Sequence, residues 1–198
     1  MKKMTFSKIY TSIIFLFLYI PIGVLIVNSF NASKSRTVWT GFTFDWYIKL
    51  TLDEFAKRNY EHIEYDGFYW LNEAVIWEHD DTHVITECGE RVHAAGSNFL
   101  WVPYYKANRF FQGYEMNFDM ICMQPNVVFS TDAPLWRFDS TVDFTLPRKM
   151  CVELEHSYQC LGDPSFARSY MLYLYYGAKT GYMDAIHVYY DDVANYAL

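Results

Sequence analysis

MCVELEH, residues Met150 to His156, alternates apolar and acidic side chains in a way that decides how the rest of the chain is read. Successive side chains of a strand point to opposite faces, so Cys151, Glu153 and Glu155 share one face and Val152 and Leu154 the other. The apolar pair suits a layer of helices. Two carboxyl groups then project together from the opposite face, where burial without a partner is costly enough to imply a role. On an edge strand both would simply be solvated, and the sequence leaves that alternative open.

Three further runs rich in β-branched and aromatic residues read as strands: Asp66 to Leu71, Asn98 to Tyr104 and Met120 to Gln124. Between them lie helical patterns. Trp46 to Tyr60 places Ile48, Leu52, Phe55 and Ala56 at helical spacing, and Thr82 to Ala95 reads as a second helix. Ser165 to Tyr176 reads as a third, opened by Asp163-Pro164 and closed by Gly177. Ser130 to Arg148, with two prolines, is the least regular stretch. Strands alternating with helices predict an α/β fold with a parallel sheet. Each strand-like run ends in polar groups on its C-terminal side: Asn72 and Glu73, Asn108, Gln124 and Asn126, and Glu155. That is the end at which sites are built in α/β sheets and barrels.

The N-terminal region is of a different kind. Ile9 to Val27 is an uncharged apolar run long enough to span a bilayer as one helix, interrupted only by Pro21. Lys2, Lys3 and Lys8 before it and Lys34 and Arg36 after it bias the N-terminus only slightly toward the cytoplasm, which would put the remainder outside. A cleaved signal peptide is the competing reading, but the run exceeds the usual apolar core of such peptides. After Val27 no segment approaches 18 uncharged apolar residues. The chain as a whole is 20% charged, with a net charge of -7, which argues against a nucleic-acid partner. Aromatic residues are abundant, with 18 Tyr, 16 Phe and 6 Trp, a richness shared by sugar-binding surfaces and by ordinary cores.

Two resemblances divide the chain along the same line. FSKIYTSIIFLFLYIPIGVLIVNSFNASKSRTVWTGFTFDWY, Phe6 to Tyr47, resembles the first transmembrane helix and following loop of spermidine/putrescine ABC-transporter permeases, the YIP turn and NSFNASKS loop matching most closely. GFYWLNE (Gly67 to Glu73), NFLWVPYYKAN (Asn98 to Asn108), FDMICMQPNVVF (Phe118 to Phe129), VELEH (Val152 to His156) and GYM (Gly181 to Met183) resemble the DUF4855 family over about Trp46 to Tyr190. That second resemblance implies a TIM-barrel, glycoside-hydrolase-like fold. Phe110 to Gly113 stands where a Gly-containing turn and a Trp are expected, and His156 where an Asp-containing pattern is usual. A complete eight-unit barrel needs about 200 to 250 residues, so residues 46–198 accommodate about five βα units. The expectation is residues 1–45 as a permease-like transmembrane segment and 46–198 as a partial (β/α) TIM-barrel-like domain.

For that domain the resemblance implies carbohydrate chemistry, and glycoside hydrolysis needs two carboxyl groups flanking the bond. Glu73 and Glu155 are the expected pair, with Glu153 beside them. Trp70, Tyr104 and Tyr105 would stack on sugar faces, and Asn72, Asn108, Gln124 and Asn126 would bond hydroxyls. Core packing is the competing role for Trp70 and Trp101, and helix capping for Glu73. A non-catalytic glycan-binding surface protein and a chimaeric or truncated permease reading frame without autonomous function are the alternatives. Transporter subunits are expected partners only if the N-terminal resemblance is functional. No motif calls for a cofactor. His79 and His83, beside Asp80 and Asp81, have helical metal-ligand spacing but read better as a polar turn. Cys88, Cys122, Cys151 and Cys160 read as free or buried thiols, a Cys151–Cys160 bridge being conceivable but not indicated by spacing.

Overall fold

The structure is a computed structural model that describes residues 6–33, 37–75, 81–129 and 134–192. It divides into two compact units, Met1–Tyr65 and Asp66–Leu198.

In the first unit, helix α1 (Phe6–Ser29) runs unbroken through Pro21, and its stretch Lys8–Ser29 is apolar and long enough to cross a membrane. None of that stretch is buried within the protein. Beyond it Asn31 organises the turn: its side chain donates to Val38 O and accepts from Thr40 N, while its carbonyl accepts from Trp46 Nε1 at 2.8 Å. Phe30 packs on Phe42, Phe44 and Tyr47. Helix α2 (Asp45–Arg58) follows and ends at Asn59, which takes the left-handed conformation. It has no buried residue, so the apolar spacing of Ile48, Leu52 and Phe55 yields only a half-buried stripe.

The second unit is a half-barrel of five parallel strands in sequence order. They are β1 (Gly67–Trp70), β2 (Asn98–Trp101), β3 (Met120–Met123), β4 (Cys151–Ser157) and β5 (Val188–Asp192). Helices α3 (Asp81–Ala94), α4 (Trp136–Thr145) and α5 (Pro164–Thr180) fall in the crossovers β1–β2, β3–β4 and β4–β5. Beta–alpha alternation thus follows the pattern except between β2 and β3, where the described residues form a 3-10 stretch, Phe110–Met116, and β4 is the longest of the described strands. The fifth strand was not among the predicted ones. Its VYYDD sequence turns acidic at the end, and among the described residues it pairs with β4 alone, as an edge strand.

Two helix boundaries differ from expectation. Within the irregular stretch Ser130 to Arg148, α4 forms over ten residues and carries Phe138, which is fully buried. Helix α5 does not stop at Gly177 but runs to Thr180, where Gly181 at φ 87° provides the left-handed stop. Gly177 serves packing instead: a Cβ there would lie 2.4 Å from Met183 Cγ. The start is as read, with Asp163 accepting from Ser165 N and Pro164 in the first turn.

The two faces of β4 separate as the alternation requires. Val152 and Leu154 join Val127, Val128, Phe138, Tyr173 and Tyr182 in one core cluster. Cys151 packs instead with Val102 and Cys122, its register partner on β3. All four cysteines are free thiols, and Cys122 pairs in space with Cys151, not Cys151 with Cys160.

Candidate functional site

Parallel register fixes which residues share the Cys151 face. Cys122 is level with Cys151, Glu153 with Val188, Glu155 with Tyr190, and Tyr69 with Leu100. Side chains level with one another in a sheet point the same way, so Glu153 and Glu155 leave the sheet on the side of Cys151, opposite Val152 and Leu154.

Glu155 is fully buried. Its Oε2 accepts the backbone N–H of Asn126 at 2.7 Å and the hydroxyl of Tyr173, which in turn accepts from Val127 N at 3.0 Å. With the Asn126 amide turned to donate, its Nδ2 lies 3.2 Å from Glu155 Oε1 and its Oδ1 3.2 Å from Tyr105 N. Asn126 makes this contact from the left-handed region, at φ 52°, a conformation asparagine tolerates better than most residues. Burial pushes the Glu155 carboxyl up to about 7, although the Tyr173, Asn126 and Val127 donors favour the ion.

Glu153 is different. Only 4% of it is exposed, and its Oε2 is buried without a hydrogen-bond partner. Burial first, then the charges of Glu155 and Glu73, push it up to about 8. A buried acceptor left unpaired costs less on a protonated carboxyl than on an ionised one.

Glu73 lies beyond the end of β1, exposed, and the two residues after it, Ala74 and Val75, are not helical. Backbone bonds hold its loop: Tyr104 N donates to Glu73 O at 3.2 Å, and the buried Trp101 donates from Nε1 to Asn72 O at 2.9 Å. The Glu73 charge raises both Glu153 and Glu155, so the three carboxyls act on one another across the strand ends. Tyr69, on β1 and 47% exposed, belongs to the same group: burial first, then Glu73 and Glu153, raise its phenol.

The remaining predicted residues scatter. Trp70 is level with Trp101 on the other face of the sheet and packs edge-on against Phe99, so it stands away from the carboxyls as a packing residue. Gln124 is buried and donates to Val102 O at 3.0 Å, a structural tie between β2 and β3. Asn126 braces Glu155. Tyr105 is half-buried, bonded to Ser140 Oγ at 2.8 Å and stacked with the Arg137 guanidinium at 4.9 Å. Asn72, Tyr104 and Asn108 are exposed. Tyr173 and Tyr69 went unpredicted. The alternation of GFYW does put Tyr69 opposite Trp70, but nothing local links Tyr173 on α5 to Glu155. His79 and Asp80 lie outside the described residues, and among the described residues no group of three or more His, Cys, Asp or Glu side chains is placed to hold a metal ion.

Comparison with known proteins gives matches of two kinds. The family model described as "Domain of unknown function (DUF4855)" matches residues 26–196, further toward the N-terminus than the motifs alone reach. A short match goes to the spermidine/putrescine transport system permease protein PotC. It is 45% identical over 49 residues in Escherichia coli (strain K12), 25% of this chain and 19% of that protein. The Haemophilus influenzae PotC is 34% identical over 50 residues, 25% of this chain and 20% of that protein. The putrescine permease PotI of Escherichia coli (strain K12) is 48% identical over 40 residues, 20% of this chain and 14% of that protein. The chain therefore spans about a fifth or less of the curated relatives it matches. No solved structure matches it.

Proposed function

The chain belongs to the DUF4855 family, and on that premise we propose that its second unit is a carbohydrate-active, glycoside-hydrolase-like domain, part of a TIM-barrel architecture, tethered to a membrane by α1. The observation that carries the reading is Glu153. It offers a buried, unpaired carboxyl oxygen on the sheet face opposite Val152 and Leu154, within the field of Glu73.

Glycoside hydrolysis divides its work between two carboxyl groups, an acid and a nucleophile or base. Glu153, held up to about 8, keeps its proton at neutral pH and serves as the general acid toward the leaving-group oxygen. Glu73, exposed at the facing strand end, serves as the nucleophile or base. Glu155 moves from the expected pair to a supporting role. It is enclosed, its oxygens engaged by Asn126 and Tyr173, and its charge contributes to keeping Glu153 protonated. Tyr69 and Tyr104, both exposed, offer faces for stacking on a sugar ring.

Membrane attachment through residues 9–27 with the second unit outside the cytoplasm completes the reading. The permease likeness is confined to a short segment, so docking with transporter subunits is not part of it. The test is hydrolysis of a panel of oligosaccharides by the full chain, abolished by Glu73→Gln. Binding without turnover by the unaltered chain assigns a non-catalytic glycan receptor instead.

A further inference from the structure

We infer that Cys122 and Cys151 are a disulfide-forming pair, two thiols held ready to join β3 to β4 on the sheet face that carries Glu153. The inference goes beyond the carbohydrate reading and is independent of it.

Register brings the two cysteines together. They stand level in the parallel pairing of β3 with β4, so their side chains leave the sheet on the same side. Neighbouring strands lie about 4.8 Å apart, and a disulfide spans Cα separations of roughly 4.4 to 6.8 Å, so the pairing alone puts the two within reach of a bond. Both belong to one small buried cluster with Val102. The other two thiols are placed differently, Cys88 on α3 and Cys160 in the 3-10 turn Tyr158–Leu161 that follows β4.

The two thiols of the pair are not equivalent. Cys122 is fully buried, whereas Cys151 is 8% exposed. The hydrogen bond between them raises Cys122 and lowers Cys151, so the proton stays on Cys122 and the thiolate forms on Cys151. The thiolate is the attacking species in thiol–disulfide exchange. The Cys151 sulfur attacks one sulfur of a small disulfide such as glutathione disulfide; the new S–S bond forms as the old one breaks, and one glutathione leaves as a thiolate and takes up a proton. Cys122 then gives up its proton and attacks the Cys151 sulfur, expelling the second glutathione. Two protein thiols are oxidised and one disulfide is reduced to two thiols. Placement of the second unit outside the cytoplasm would supply the oxidising surroundings in which such a bond persists.

The bond falls where the sheet is held by few pairs. Strands β3 and β4 share two level pairs, against four for β1 with β2 and five for β4 with β5. A covalent link there would fix the strand that bears Glu153, whose side chain is the next one along β4 on the Cys151 face.

The experiment exposes the folded full chain, in detergent, to excess glutathione disulfide, denatures it, alkylates the remaining thiols and maps the peptides by mass spectrometry. The expected product is a peptide pair joined through Cys122 and Cys151, with neither Cys88 nor Cys160 in the link. Cys122→Ser should trap glutathione on Cys151, because the second attack is lost, whereas Cys151→Ser should leave Cys122 a free thiol. Recovery of both Cys122 and Cys151 as alkylated thiols after prolonged exposure overturns the inference, and so does a link from either of them to Cys88 or Cys160. A Cys122–Cys151 link that forms as fast in the urea-unfolded chain also overturns it, because strand register would then play no part.

Discussion

The carboxylate of Glu155 accepts the backbone N–H of Asn126 at 2.7 Å, a bond that ties β4 to the turn leaving β3. Tyr173 closes the same carboxylate from α5 and takes the Val127 N–H as well, so one phenol serves two buried partners. Tyr173→Phe removes the donor to Glu155 and the acceptor of Val127 together. It should cost about 1 to 3 kcal/mol, the usual penalty for stranding a buried polar group. Urea unfolding of the full chain checks it; an unchanged midpoint would contradict the role assigned to Tyr173.

Glu153 and Glu155 bind protons more tightly in the folded than in the unfolded chain, being held up to about 8 and about 7 against an ordinary 4.5. Between pH 4.5 and 8 the folded state therefore holds more protons, and stability must fall as pH rises through that window. The thermal midpoint should be higher at pH 5 than at pH 8.5, and Glu153→Gln should flatten the slope. A midpoint that rises over this range would contradict the protonated Glu153.

Gly67 opens β1 where a Cβ would lie 2.3 Å from the backbone oxygen of Asn98. Gly67→Ala must displace main chain rather than a side-chain tip, and should destabilise by roughly 1 to 3 kcal/mol. Gly162→Ala is the control, since nothing lies within 4 Å of its Cβ position, and should stay within about 0.5 kcal/mol. Chemical unfolding of both variants reads the difference.

Helix α1 exposes Leu16 and Leu18 along an uncharged span. Lysine at both positions costs about 2.5 to 3.5 kcal/mol each at the centre of a spanning helix. The full chain should stay with membranes through an alkaline carbonate wash, and Leu16→Lys with Leu18→Lys should release it. Release of the unaltered chain would contradict the anchor.

What the sequence made legible follows from how local the signals are. The alternation in MCVELEH gave the two faces of β4, because a period of two needs only neighbours. Asp163-Pro164 gave the start of α5 for the same reason. Its end misled, because Gly177 is a glycine for the sake of Met183 and Tyr182, contacts made only once the chain has turned back. Strand β5 was hidden by the acidic end of an edge strand. Glu73 and Glu155 were legible as strand-end carboxyls, but the ranking between Glu155 and Glu153 was not. It turns on Tyr173 and Asn126, which lie 18 and 29 residues away and close one carboxyl while leaving the other open.

The most direct test of Glu153 and Glu73 is the rate at which the full chain cleaves oligosaccharides, measured for the unaltered protein, Glu153→Gln and Glu73→Gln. The account predicts measurable hydrolysis with kcat lowered at least about 100-fold by either change, the typical contribution of a positioned acid or base. Hydrolysis that survives both substitutions at full rate would contradict it.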